Sequence, residues 1–181
     1  MVTKNVGIFG LTANPVHIGH RMVVEKALAT LDEVWVTPVY HHPWNKNPVD
    51  YVHRLKMCEL MFSSMPNVKI VELDKKYYSE TQKIPYSYDI LSMAKREYGV
   101  HPVLLIGQDN FVPTVWKKFY KHQEIESEFG VLVVEEDGVH STEIRNLVQK
   151  QQWDIIAQNT GEDVVKYIQE NSLYMELDYA K

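Results

Sequence analysis

Short apolar runs alternate along the chain with longer stretches whose apolar positions recur three and four residues apart. Residues 6–9 form one such run, ending at Gly10, and residues 18–28 follow it with helical spacing. A second run at 34–36 closes on Thr37 and Pro38. Residues 40–50, with Pro43, Asn45, Asn47 and Pro48, read as a long loop. Leu55, Cys58, Leu60 and Met61 put an apolar face on a helix over about 52–63. Residues 68–73 read as a third strand, and 86–98 as a helix stopped by Gly99. The run 103–106 has no polar alternation, the pattern of a central parallel strand buried on both faces, and 131–134 repeats it. Helices over 142–150 and 162–171 finish the chain.

Strand–helix alternation of this kind predicts an α/β, Rossmann-like fold with a central parallel sheet and helices on both faces. Ligands bind such sheets beyond the carboxyl ends of the strands, where the strand order reverses. The loops after Phe9 and Ile106 are therefore the candidate sites. The length of 181 residues fits one domain over the whole chain, with a helical C-terminal part from about residue 142.

Charge and composition narrow the function. With 19 Lys+Arg against 24 Asp+Glu the net charge is −5, which speaks against general binding to nucleic acid or an anionic membrane. The lone Cys58 forms no internal disulfide and, among apolar helix positions, reads as a buried inert thiol. No apolar run reaches membrane-span length and the N-terminus lacks a signal-peptide core, so a cytoplasmic protein is expected. The pattern leaves monomer and homo-oligomer both open.

Familiar nucleotide motifs are missing. None of the eight glycines is followed by Lys, which excludes a P-loop. The first strand lacks the dinucleotide glycine spacing and the second ends without an acid to hold a ribose. No nucleophile elbow occurs either.

Three constellations remain. Gly10-Leu11-Thr12-Ala13-Asn14-Pro15-Val16-His17-Ile18-Gly19-His20 runs from the first strand into the first helix. His17 and His20, three apart in a first turn, put both rings on one face beside unpaired helix N–H groups, an arrangement suited to a polyphosphate. Two metal ligands are the competing reading, but no third ligand stands at a recognisable spacing. Gly107-Gln108-Asp109-Asn110 follows the buried strand, where Asp109 either meets Mg²⁺ or a ribose hydroxyl, or caps the next helix. His140-Ser141-Thr142-Glu143-Ile144-Arg145 offers Ser141 or Thr142 as an N-cap and sets Arg145 in a first turn. A cation there opposes the helix dipole by about 0.3–1 kcal/mol, a penalty that a bound anion would reverse.

In this order and spacing the three segments resemble the nucleotidyltransferase superfamily, with its paired-histidine and late S-T-x-x-R motifs. Within it the chain looks most like nicotinamide/nicotinate mononucleotide adenylyltransferases. Val52-His53-Arg54-Leu55-Lys56-Met57-Cys58-Glu59-Leu60, Tyr86-Ser87-Tyr88-Asp89-Ile90-Leu91, and Trp116-Lys117 after Gly107-Gln108-Asp109-Asn110 carry the narrower likeness, together with the closing stretch 165–174. The resemblance implies transfer of AMP from ATP to a pyridine mononucleotide, with Mg²⁺ accompanying ATP and pyrophosphate released. It implies catalytic roles for His17, His20, Lys46 and Arg145. It places Gly10, Thr12, Gly107, Asp109, Ser141 and Thr142 with the histidines and Arg145 around ATP. Lys46, Ser87 and Trp116 would meet the pyridine nucleotide. For Trp116 the helical stripe of Val112, Val115, Trp116 and Phe119 gives core packing as the rival reading, and for Ser87 the rival is a helix N-cap. Leu11, Ala13 and His140 depart from the family's usual residues. They keep two alternatives in view: another phosphate acceptor, such as phosphopantetheine, a flavin mononucleotide or a phosphoalcohol, and a nucleotide sensor without catalysis.

Overall fold

The computed structural model describes residues 3–41, 48–135 and 138–175. In chain order they form β1 (Asn5–Leu11), α1 (Ile18–Ala27), β2 (Glu33–Pro38), α2 (Tyr51–Phe62), β3 (Val68–Ile70), α3 (Leu73–Thr81) and α4 (Ser87–Tyr98). There follow β4 (His101–Gly107), the single turns α5 (Gln108–Phe111) and α6 (Pro113–Trp116), α7 (His122–Glu128) and β5 (Val131–Val134). Helices α8 (Ser141–Gln149), α9 (Trp153–Thr160) and α10 (Glu162–Glu170) complete the order.

All strand pairs are parallel, in the order β3-β2-β1-β4-β5. The order reverses between β1 and β4, which sets the switch point at their carboxyl ends. Side chains alternate across the sheet and build two cores. Phe9, Leu11, Val34, Val36 and Leu105 pack with α1, α2 and α8–α10, while Val6, Ile8, Trp35, Leu104 and Ile106 pack with α3, α4 and α7. At the opposite pole, the carboxylate of Glu33 accepts from Lys4, from Lys69 at 2.7 Å and from Trp35 Nε1 at 3.0 Å, which joins the amino ends of β1, β2 and β3. No helix among the described residues is long and apolar enough to cross a membrane.

Four readings of the sequence need correction. The third strand covers only three residues, and Leu73 opens α3 instead, its side chain buried against the second core. Val112 to Phe119 is not one helix: Pro113 starts a single turn, Val112 is exposed, and only Trp116 of the four is buried. Ser141 and Thr142 do not cap α8, because His140 takes that position. Arg145 is consequently the fifth residue of α8, beyond the first turn. The helix at 86–98 ends as expected, with Gly99 in the left-handed region at φ 64°. Cys58 is fully buried, and burial pushes its thiol up to about 12.

Candidate active site

The turn that leaves β1 carries the first constellation into the switch point. Ala13 is buried and holds φ 54°, a left-handed conformation that costs a residue with a Cβ about 1 kcal/mol. His17 ends the turn in extended conformation as the N-cap of α1. Its backbone N–H donates to His20 Nδ1 at 3.2 Å, so the remaining proton of a neutral His20 sits on Nε2, ready to donate. The two rings stack with centroids 3.7 Å apart. His17 is buried, and its Nδ1 has no partner among the described residues.

Burial holds the His17 imidazole down to about 4, helped by His140, and holds His20 well below the ordinary value, helped by His17. Both rings are neutral at pH 7, so each can donate a hydrogen bond but carries no charge. The unfolded chain binds their protons more readily than the folded one. For His17 the stability so conferred is therefore complete above about pH 6.5 and lost as pH falls through about 4, and His20 acts in the same direction. For His17 this amounts to about 3 kcal/mol. Asp74, raised to about 6 by burial, has the opposite sign: its contribution is complete below about 4 and lost as pH rises through 6. With two imidazoles against one carboxyl, the melting temperature is expected to fall between pH 6.5 and 4. A His17→Asn variant should lose less over that interval, which melts at stepped pH would measure.

Arg145 reaches the same turn from α8. Its Nη1 donates to the Asn14 carbonyl at 2.7 Å and its Nη2 to Thr142 Oγ1 at 3.0 Å. Ser141 Oγ donates to the Pro15 carbonyl at 2.8 Å. Arg145 is 8% exposed, and its guanidinium pairs with no carboxylate and leaves Nε without a partner among the described residues. A buried cation with a free donor is costly unless an anion comes to it.

Gly10 is exposed at the end of β1, and a Cβ built there would meet nothing within 4 Å. Thr12 is half-buried beside it. Gly107 caps α5, so Asp109 is not the cap; it lies in the first turn, exposed, accepting only from Asn110 Nδ2 at 2.8 Å. Ser87 is the first residue of α4, whose cap is Tyr86, held by the Asp89 carboxylate at 2.9 Å. Trp116 is 5% exposed, donates from Nε1 to Glu126 and packs between Phe111 and Phe119, as a core residue does. Lys46 and His42 lie outside the described residues. His41 is exposed, edge-on to Tyr40 and Tyr78.

Two further residues join the β1 turn to the loop after β2, and the sequence alone assigned neither of them a role. Arg54, 2% exposed on α2, donates from Nε to the Val49 carbonyl at 2.9 Å. Its Nη1 reaches the carbonyls of Thr12 at 2.9 Å and Val39 at 2.6 Å, and its Nη2 reaches that of Tyr40 at 3.4 Å. One fork thus ties the β1 turn to both ends of the loop after β2. Asp74 secures the same loop by accepting the Tyr40 N–H at 2.8 Å. Asn14 is the second: its carbonyl serves Arg145, and its Oδ1 accepts the Val49 N–H at 3.2 Å.

A sheet wound this way, with two imidazoles, the amino end of α1 and a guanidinium free of carboxylates among the described residues gathered where its order reverses, suits a nucleotide. The chain belongs to the cytidylyltransferase-like family, whose model matches residues 8–159. Its relatives narrow the likeness. It is 30% identical to the nicotinate-nucleotide adenylyltransferase of Bacillus subtilis (strain 168), over 94% of this chain and 98% of that one. A Vibrio parahaemolyticus structure assigned as a nicotinate-nucleotide adenylyltransferase superposes with a TM-score of 0.81 at 28% identity, covering 99% of this chain and all of that one (100%). The Plasmodium falciparum nicotinic acid mononucleotide adenylyltransferase complexed with NaAD gives 0.76 at 17% identity over 97% and 100% of the two chains, a likeness of fold.

Proposed function

We propose that this chain transfers AMP from ATP to nicotinate mononucleotide, forming the dinucleotide and releasing pyrophosphate, a step of NAD biosynthesis. The observation that carries the reading is the stacked, neutral His17–His20 pair facing a turn that also receives the buried, carboxylate-free Arg145. The acceptor's own phosphate is the nucleophile. One of its oxygens forms a bond to the α-phosphorus of ATP as the bond from that phosphorus to the bridging oxygen of pyrophosphate breaks. The protein then has to align the two phosphates and stabilise charge as the α-phosphate becomes crowded.

His17 and His20 supply neutral donors, Arg145 a permanent charge, and Lys46 a second cation in this reading. Gly107 and Asp109 would meet the ribose, while Ser87 and Trp116 would line the acceptor half. Among the described residues no group of three or more His, Cys, Asp or Glu is placed to cage a metal. That fits Mg²⁺ entering with ATP, since this ion keeps its waters and is held by substrate phosphates plus one or two carboxylates. The exposed Asp109 suits that part, and Mg²⁺ so bound would neutralise the departing pyrophosphate. The cytoplasm is the compartment this reading assigns.

The test is pyrophosphate release with Mg²⁺-ATP and a panel of acceptors: nicotinate mononucleotide, nicotinamide mononucleotide, phosphopantetheine and flavin mononucleotide. Turnover is expected with the nicotinate form above all others. Turnover on phosphopantetheine alone, or ATP binding with no turnover on any acceptor, would replace the proposal.

A further inference from the structure

Strand parity divides the switch point into two halves. On β1, Phe9 and Leu11 point into the core beneath α1, so Gly10 between them points to the face covered by α3, α4 and α7. On β2, Val34 and Val36 point with Phe9, whereas Trp35 belongs to the other core, and Thr37 follows Trp35. Gly10 and Thr37 are register partners and stand side by side on that face. It is the face opposite the α1 and α8 layer, where Val23 and Ile144 pack behind the histidine pair and Arg145. Helix α4 turns through Gly99 into the β4 region, so its amino end with Ser87 lies at the carboxyl pole of the sheet, on the Gly10–Thr37 side.

Two observations there belong together. A Cβ at Gly10 would find open space, and next to that space the Thr37 side chain is 3% exposed with an Oγ1 that has no hydrogen-bond partner among the described residues. Valine has the same shape, suits a strand as well and would avoid the cost of a buried unpaired hydroxyl. A hydroxyl kept at this position, beside a gap in the protein surface, has its partner in what fills the gap.

We infer that Thr37 is a specificity-determining residue of the acceptor half: its hydroxyl hydrogen-bonds an oxygen of the acceptor mononucleotide seated over Gly10. The inference deepens the proposed adenylyl transfer and rests on it. This gives Gly10 to the acceptor, where the family resemblance gave it to ATP; ATP, met by His17, His20 and Arg145 from the opposite face, makes no use of Thr37.

Thr37→Val and Thr37→Ser test it, with steady-state kinetics in each substrate and thermal melts. In Thr37→Val the KM for the acceptor is expected to rise about tenfold, the loss of one buried hydrogen bond, while the KM for ATP stays within about twofold. The variant should melt at or above the parent temperature, because in the free protein the hydroxyl is unpaired. Thr37→Ser, which keeps the hydroxyl, should return the acceptor KM to near the parent value. An unchanged acceptor KM overturns the inference, as does an equal rise in both KM values. A marked drop in melting temperature for Thr37→Val also overturns it, since the hydroxyl would then have a structural partner. The comparison is run with whichever acceptor the parent turns over in the panel above, so a wrong acceptor and an idle Thr37 are separate results. A parent that turns over none overturns both readings.

Discussion

Alanine in place of His17 is expected to lower kcat by about 10²–10³-fold, the loss that follows removal of one well-placed donor to developing charge. The fold is expected to survive the change, with a lower melting temperature from the lost buried ring. The Nδ1 of His17 has no partner to forfeit among the described residues, and its carbonyl, which the change keeps, receives the His20 and Arg21 N–H groups at 3.0 and 3.3 Å. What is lost is a ring stacked on His20 and, in the proposed reaction, a donor to the triphosphate. Pyrophosphate release under saturating substrates, set beside a thermal melt, separates the two effects. A kcat within about threefold of the parent would remove His17 from the reaction.

The largest expected loss of stability lies at Arg54. Arg54→Ala frees the carbonyls of Thr12, Val39, Tyr40 and Val49 from a buried charged donor and leaves a void among them. Breaking a buried charged network of this kind costs about 3–5 kcal/mol. For a chain of this size that is a drop in melting temperature of about 10 °C or more. Arg54→Lys keeps the charge, but a single ammonium cannot span acceptors that the guanidinium holds from three nitrogens, so it should fall between parent and alanine variant. Differential scanning calorimetry of the three proteins gives the order, and an Arg54→Ala protein as stable as the parent would refute it.

The features legible in the sequence are those written in local spacing. Continuous apolar runs marked β1, β2, β4 and β5, and three-and-four periodicity marked α1, α2, α4, α8 and α10. Helix α3 escaped because Leu73 prolongs the apolar run of β3 while the rest of LDKKYYSET is mostly polar. Its stability comes from burying Leu73 and Asp74 against the sheet, a tertiary fact that periodicity does not carry. The stripe at Val112–Phe119 misled for the reverse reason: the spacing is helical, but Pro113 and the turns around it break the segment.

The site divides along the same line. His17 and His20 are three residues apart, so their nearness is legible from spacing, although His17 stands as the extended N-cap before α1 and not inside its first turn. Arg54 meets Thr12 across 42 positions, and its hydrogen bonds among the described residues go to main-chain oxygens, which any sequence provides equally, so no residue pattern announces it. Thr37 reads as an ordinary strand end until the register with Gly10 and the parity of two strands are known.

That parity has a consequence for how the chain tolerates length changes. Gly10 faces the acceptor half only because an even number of steps separates it from Ile8, while Phe9 and Leu11 face the other core. A single-residue insertion or deletion within β1 would exchange the faces of everything beyond it. It would drive a bulky side chain into the gap over Gly10 and pull the glycine under α1. Loops on either side of the sheet can lengthen or shorten over evolutionary time, but β1 can change only in steps of two.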